Sequence, residues 1–241
     1  MKKILSILLI APVLFIISCG PIGEAGPSGN SMIPIVFQQG SAPYAGYAGV
    51  MDTFITQYDP NENYGSCDVP YLGFSGLYIR RILVKFDIDG MIPAGAVIQK
   101  AYLSFYVISV YGTATNNFQV YNVTKAWTEG TGDCSGSSSN DVTWNNYTTA
   151  TGWTSVGGDF DAAAVSDVLN PPLSGGDDKF YSFELNNSLI EGWISDPSSN
   201  NGLIIKADRE TSPTGYLRVY TSDYTTDTSL RPKLTIYYTV D

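Results

Sequence analysis

Between Ile82 and Ile88 every second residue is apolar: Ile82, Val84, Phe86 and Ile88 alternate with Leu83, Lys85 and Asp87. Ala101, Leu103, Phe105 and Val107 repeat the pattern against Lys100, Tyr102, Ser104 and Tyr106. Period two with one apolar face marks a half-buried strand. Asp89-Gly90 and Pro93-Ala94-Gly95 punctuate the chain between them, so residues 79–107 read as two strands joined by a turn. The same criteria predict strands over 50–58, 71–73, 118–123, 142–144, 180–185, 202–207, 216–221 and 233–240. Residues 33–47 read as part apolar and part Gly/Pro loop. Ser188 to Ile194 reads as one or two helical turns, with Ser188 as cap and Glu191 three places on. Many short strands, turns between them and no sustained helical period predict an all-β fold, an antiparallel jelly-roll β-sandwich in a single domain. A parallel sheet would need crossover helices, and the pattern offers none.

The N-terminus breaks this pattern. Lys2 and Lys3 precede an almost unbroken apolar run, Ile4 to Ile17, which ends at Ser18-Cys19. That resembles a lipoprotein signal, in which Cys19 is lipidated and becomes the mature N-terminus. A short transmembrane helix is the other reading, but the run falls short of the roughly 18–20 residues needed to span a bilayer. Residues 1–18 are therefore expected as signal peptide, 19–32 as lipidated Cys19 plus a Gly/Pro-rich tether, and 33–241 as the β-sandwich. The tether places Gly at every third position for four triplets, as in collagen, but four are too few for a stable triple helix, so a flexible linker is expected. The domain is then exported and held at the cell envelope by its N-terminal lipid. The lack of Asp directly after Cys19 points to the outer membrane in a cell with two membranes.

Charge and missing residues narrow the chemistry. The chain carries 13 Lys plus Arg against 23 Asp plus Glu, a net −10; without Lys2 and Lys3 the balance is 11 against 23, or −12. Such a surface does not suit nucleic acid, whereas acidic loops can hold calcium. There is no His, which removes the usual base of Ser and Cys hydrolases and the commonest zinc ligand. Glu129, Asp133, Asp159 and Asp161 could in principle hydrolyse glycosides, but nothing in the sequence pairs them, so no enzymatic activity is expected. With Cys19 assigned to the anchor, Cys67 and Cys134 remain, either bridged in an oxidising compartment or as two free thiols.

Tyr and basic residues gather on strands. Arg81 and Lys85 share a face, as do Tyr102 and Tyr106, and Arg218 sits between Tyr216 and Tyr220. Aromatic faces beside guanidinium groups suit an acidic polysaccharide, since Arg pairs carboxylates bidentately. Arg81, Lys85, Tyr102, Tyr106, Arg218 and Tyr220 are thus the candidate ligand-binding residues, weighed against an ordinary solvent-facing role.

Several motifs occur in a recognisable order: Asp52-Thr53-Phe54-Ile55, Asn63-Tyr64-Gly65, Arg81 to Asp87, Ile92 to Ala96, Val120 to Thr124 followed by Trp127-Thr128-Glu129, Val142-Thr143-Trp144, Gly157-Gly158-Asp159, Asn200-Asn201-Gly202-Leu203 and Arg231-Pro232-Lys233-Leu234. Their order and spacing over 50–238 resemble the DNRLRE domain family, related to the disaggregatase repeats and to a group of carbohydrate-binding modules. The resemblance implies an exported jelly-roll sandwich, with polysaccharide and calcium among the family's ligands. It places Asp52, Asn63 and Asp159 as candidate ligands of a structural calcium, and Trp127, Trp144 and Trp193 as packing residues. Trp153 is the tryptophan expected at the surface. The Cys67 and Cys134 loops fall outside the pattern. The expected function is a lipid-anchored, non-catalytic module that binds a glycan. A structural or adhesive envelope protein with a surface-protein partner is the alternative, and a polysaccharide-cleaving enzyme a third reading.

Overall fold

The computed structural model describes residues 31–137, 141–173 and 177–240. The signal peptide, Cys19 and nearly all of the tether lie outside the described residues. Thirteen strands follow one another in the described chain: β1 (Ile33–Gln38), β2 (Val50–Thr56), β3 (Tyr71–Ser75), β4 (Tyr78–Phe86), β5 (Val97–Gly112), β6 (Phe118–Val123), β7 (Asn146–Thr148), β8 (Thr151–Gly152), β9 (Phe160–Ala164), β10 (Lys179–Leu185), β11 (Leu203–Ala207), β12 (Gly215–Val219) and β13 (Lys233–Thr239). One helix, α1 (Asn187–Ser195), follows β10.

The sandwich expected from the alternation is what the chain builds, but as one curled antiparallel sheet. Eleven strands run β1-β13-β5-β12-β3-β4-β11-β6-β9, with β10 added to β5 and β2 added to β4; β7 and β8 pair separately. β4 and β5, the two strands read from residues 79–107, never pair. β4 lies between β2 on one edge and β11 and β3 on the other. β5 carries β10 on one edge, and β13 then β12 on the other. Residues 87–96 therefore cross between layers rather than turning a hairpin.

The alternating residues meet in the space between the layers. Ile82, Val84, Phe86, Ala101, Leu103 and Phe105 join one buried cluster with Leu203, Ile205, Leu234 and Ile236. Each large side chain buried there contributes about 1.5–3 kcal/mol. A second cluster of Ile55, Leu83, Trp127, Val142, Trp144, Trp153 and Ile204 lies outside it. Leu83, which the alternation put on the polar face, is fully buried because the loops between β6 and β9 cover that side of β4. Trp153 is only 6% exposed, not the surface residue expected: its indole donates to the Thr143 carbonyl at 3.0 Å and packs against Tyr147. Val142-Thr143-Trp144 is buried loop rather than strand. β1 and β9 were not separately predicted. Asn186, not Ser188, occupies the N-cap of α1, and its side chain makes no capping bond.

Candidate aromatic and arginine face

β5 gains one residue on each neighbour. Its register against β12 skips Ile108, between Arg218–Ser109 and Val219–Val107. Its register against β13 skips Gln99. A bulge flips the parity of everything beyond it. Tyr106 and Tyr111 consequently share the outer face, although they lie five positions apart, an odd step that strict alternation would put on opposite faces. Tyr111 lies opposite Tyr216, and Arg218 opposite both Ser109 and Tyr71.

The outer face carries two linked aromatic groups. In the first, Tyr106 meets Phe180 edge-on at 5.3 Å and stacks on Tyr220 at 5.7 Å. Tyr220 stacks on Tyr224 at 3.6 Å, and Lys233 Nζ sits 4.0 Å from the Phe180 centroid. In the second, Tyr216 stacks on Tyr111 at 5.1 Å and meets Tyr71 at 5.5 Å. Two guanidinium groups flank the Tyr71 ring, Arg80 at 5.5 Å and Arg218 at 5.9 Å from its centroid. Arg80 Nη1 and Arg218 Nε are buried without a hydrogen-bond partner. Neither arginine forms an ion pair among the described residues. Burial pulls the Arg80 guanidinium down from its ordinary pKa, since removing a cation from water penalises it. Tyr71 and Tyr111 are well exposed. The face offers ring surfaces for stacking beside two guanidinium groups that have no carboxylate partner among the described residues.

The six sequence candidates therefore divide. Tyr106, Arg218 and Tyr220 come together on this face, and Tyr102 lies further along β5, edge-on to Tyr237 at 6.3 Å. Arg81 does not belong. It forms a bidentate pair with Glu210 (2.8 and 2.7 Å), donates to the Gly157 carbonyl at 2.6 Å and lies over Trp144. Its side chain is 11% exposed and each of its three nitrogens already donates to Glu210 or Gly157, so it fastens the loop cover. Lys85 lines a separate concavity beside α1. Arg80, which sequence reasoning missed, has no periodic signal of its own: it neighbours Arg81, and only the β3–β4 pairing brings it to Tyr71.

The calcium candidates do not converge either. Asn63 is fully buried and saturated. Its amide donates to the carbonyls of Glu129 (2.7 Å) and Val142 (2.8 Å), and its oxygen accepts from Gly65 and Gly132. Gly65, Gly130 and Gly132 press so close that a Cβ on any of them would overlap the Asn63 side chain or facing backbone. Asn63 is the knot of two loops, not a ligand. Asp159 caps the amides of Thr154 and Ser155 at 2.8 and 2.9 Å. Asp52 is fully buried on β2, where Ser222 donates to it from both amide and hydroxyl. The Asp52 amide in turn donates to Glu129 Oε1 at 2.6 Å. Carboxylate oxygens of Asp52, Glu129 and Asp223 lie within 4.8 Å of one another.

Burial is the first cause that lifts Asp52 to about 7 and Glu129 to about 8; the neighbouring carboxylates, Asp223 for Asp52 and Asp52 for Glu129, push the same way. This crowd of desolvated carboxylates calls for a proton or a hard cation, and its all-oxygen donors are of the calcium type. Nearby, Cys67 and Cys134 are bonded to each other and tie the Asn63 loop to the Gly132 loop.

A curled antiparallel sheet around one core, with an aromatic and arginine outer face, defines an all-β sandwich domain. The chain belongs to the disaggregatase related repeat domain family, whose model matches residues 52–236. No curated protein matches the chain.

Proposed function

We propose that this protein is a non-catalytic, carbohydrate-binding sandwich that holds an acidic polysaccharide on the aromatic and arginine face. The observation that carries this reading is the pair of guanidinium groups beside the exposed Tyr71 ring, neither with a carboxylate partner among the described residues. Arg pairs planar carboxylates in bidentate fashion, and the tyrosine rings supply adjacent stacking surfaces. A non-catalytic role is supported by the state of the acids: Asp159 and Asp133 cap backbone amides, Asp161 accepts from Asn122, Glu129 accepts from the Asp52 amide, and Asp52 is sealed from solvent. The apolar run ending at Cys19 supports a lipid anchor at the cell envelope. Calcium would sit among Asp52, Glu129 and Asp223 as a structural ion.

The test is affinity electrophoresis of the full-length protein through gels cast with uronate-containing, sulfated or neutral polysaccharide. Retention is expected on an anionic glycan, falling as salt rises, and Arg80→Ala or Arg218→Ala should abolish most of it. No retention on any gel, or retention indifferent to both substitutions, overturns the reading. Release of reducing ends from the retained glycan would establish an enzyme instead.

A further inference from the structure

A concavity of about 370 Å3 lies beside α1, and its walls share no residue with the aromatic and arginine face. Met51 and Lys85, directly paired across β2 and β4, form one wall. Asp87 and Asp89 project from the connection that crosses between the layers. Trp193 from α1 and Asn200 from the turn after it close the far side. Its volume falls at the lower end of the range for small-molecule sites, which starts at about 300 Å3.

The walls are held in place. Tyr47 donates its hydroxyl to the Asp87 carbonyl at 2.7 Å, and the Asp87 amide donates to Gly49 at 2.7 Å. The Asn200 side chain donates to the Phe86 carbonyl at 2.9 Å and accepts from Gly202. Gly202 lets Lys85 lie close, because a Cβ there would come within 2.8 Å of the lysine's own Cβ.

The polar groups facing this frame are unspent. Lys85 forms no ion pair among the described residues. Asp87 uses one carboxylate oxygen on the Asp89 amide at 3.1 Å and keeps the other. Trp127 and Trp153 donate their indole N–H groups to carbonyls at 2.9 and 3.0 Å. Trp193, 2% exposed, lines the concavity instead. The site thus holds separated donors and acceptors beside an apolar floor of Ala48, Met51 and Pro197.

We propose that this concavity binds one hexose-sized neutral sugar, with Lys85, Asp87 and Asp89 reading neighbouring hydroxyls. An ammonium donates to a hydroxyl oxygen, while carboxylates accept from O–H groups. A sugar's C–H face packs on the apolar floor. Two carboxylates against one ammonium repel uronates, so the site selects against the anionic units proposed for the other face. A second hollow of about 260 Å3 shares Ile88, Asp89 and Trp193, giving the next unit of a chain a place to lie.

The test titrates the full-length protein with glucose, galactose, mannose, fucose, xylose and N-acetylglucosamine, and with their disaccharides. The readout is the indole 1H–15N resonance of Trp193, assigned with Trp193→Phe. At least one sugar is expected to move that resonance saturably and independently of salt. Lys85→Gln and Asp87→Asn, with melting midpoints first shown to match the parent, should each weaken it about tenfold, the loss of one charge-assisted hydrogen bond. A Trp193 resonance unmoved by every sugar, or unchanged affinity in both variants, overturns the proposal. An anionic polysaccharide retained at the other face should leave the Trp193 resonance in place, so the two readings fail separately.

Discussion

Replacing Glu129 by Gln should make the protein more stable in alkaline solution and flatten its pH dependence. The Gln oxygen can still accept from the Asp52 amide, so the 2.6 Å contact survives while the charge goes. In the native state Glu129 is lifted from 4.5 to about 8, first by burial and then by Asp52. Between those values the folded protein keeps a proton that the unfolded chain has lost. The unfolded state then binds fewer protons, and stability must fall as pH rises through that window. Each pKa unit is about 1.4 kcal/mol, so the full shift would be worth about 5 kcal/mol. Part of it is the mutual repulsion of Asp52 and Glu129, shared between them, which leaves about 2–4 kcal/mol expected net. Urea unfolding in EDTA from about pH 5 to about pH 8 measures it. The parent should lose stability across the range, while Glu129→Gln should match it at the acidic end and exceed it by about 2–4 kcal/mol at the other. Parallel curves would mean that the two carboxylates are solvated well enough to ionise freely, and the account of the cluster would be wrong.

Calcium should raise the parent's melting midpoint at neutral pH and EDTA should reverse the rise, by about 2.7 kcal/mol at a hundredfold excess over Kd. Glu129→Gln should lose that response; calorimetry with and without the ion decides. Asn63→Ala should cost about 3–5 kcal/mol, since it orphans two carbonyls and two amides in a buried knot, and denaturant melts would show it. Replacing Cys67 and Cys134 together by Ser should destabilise by about 2–4 kcal/mol, as the bridge closes a separation of 67 residues. Thiol titration of the denatured, unreduced parent should find neither cysteine free.

The fold was legible because alternation survives where it was clearest: Ile82, Val84 and Phe86 are buried where period two put them, as are Ala101, Leu103 and Phe105. Pairing was not legible. The Gly/Pro connection between β4 and β5 looks like a turn whether it joins neighbours or crosses between layers, and only long-range packing chooses. Bulges hide equally well: nothing local marks Ile108 as the residue that turns Tyr111 to the Tyr106 side. The site suffered most from this. Arg81 and Lys85 share a strand face, but Glu210, 129 residues on, claims the first, and the second opens on α1. Asp52 was singled out by its motif, while its partners Glu129 and Asp223 come from loops that no period predicts. Trp153 was misplaced because one-layer alternation carries no sign of a second cluster outside the sheet.

The way β5 is shared has a bearing on cooperativity. It is hydrogen-bonded along both edges, to β10 on one side and to β13 and β12 on the other, and it carries the sheet around from one layer to the next. Neither layer can open without stripping a ladder from this strand, so the two melt as one unit. The amides of residues 101–104, in the stretch paired on both edges, should exchange with solvent only through complete unfolding, while those of the outermost strand β1 exchange by fraying. The slowest protons of the molecule would then lie directly beneath Tyr102, making the stretch of β5 next to the proposed contact surface the most rigid part of the domain.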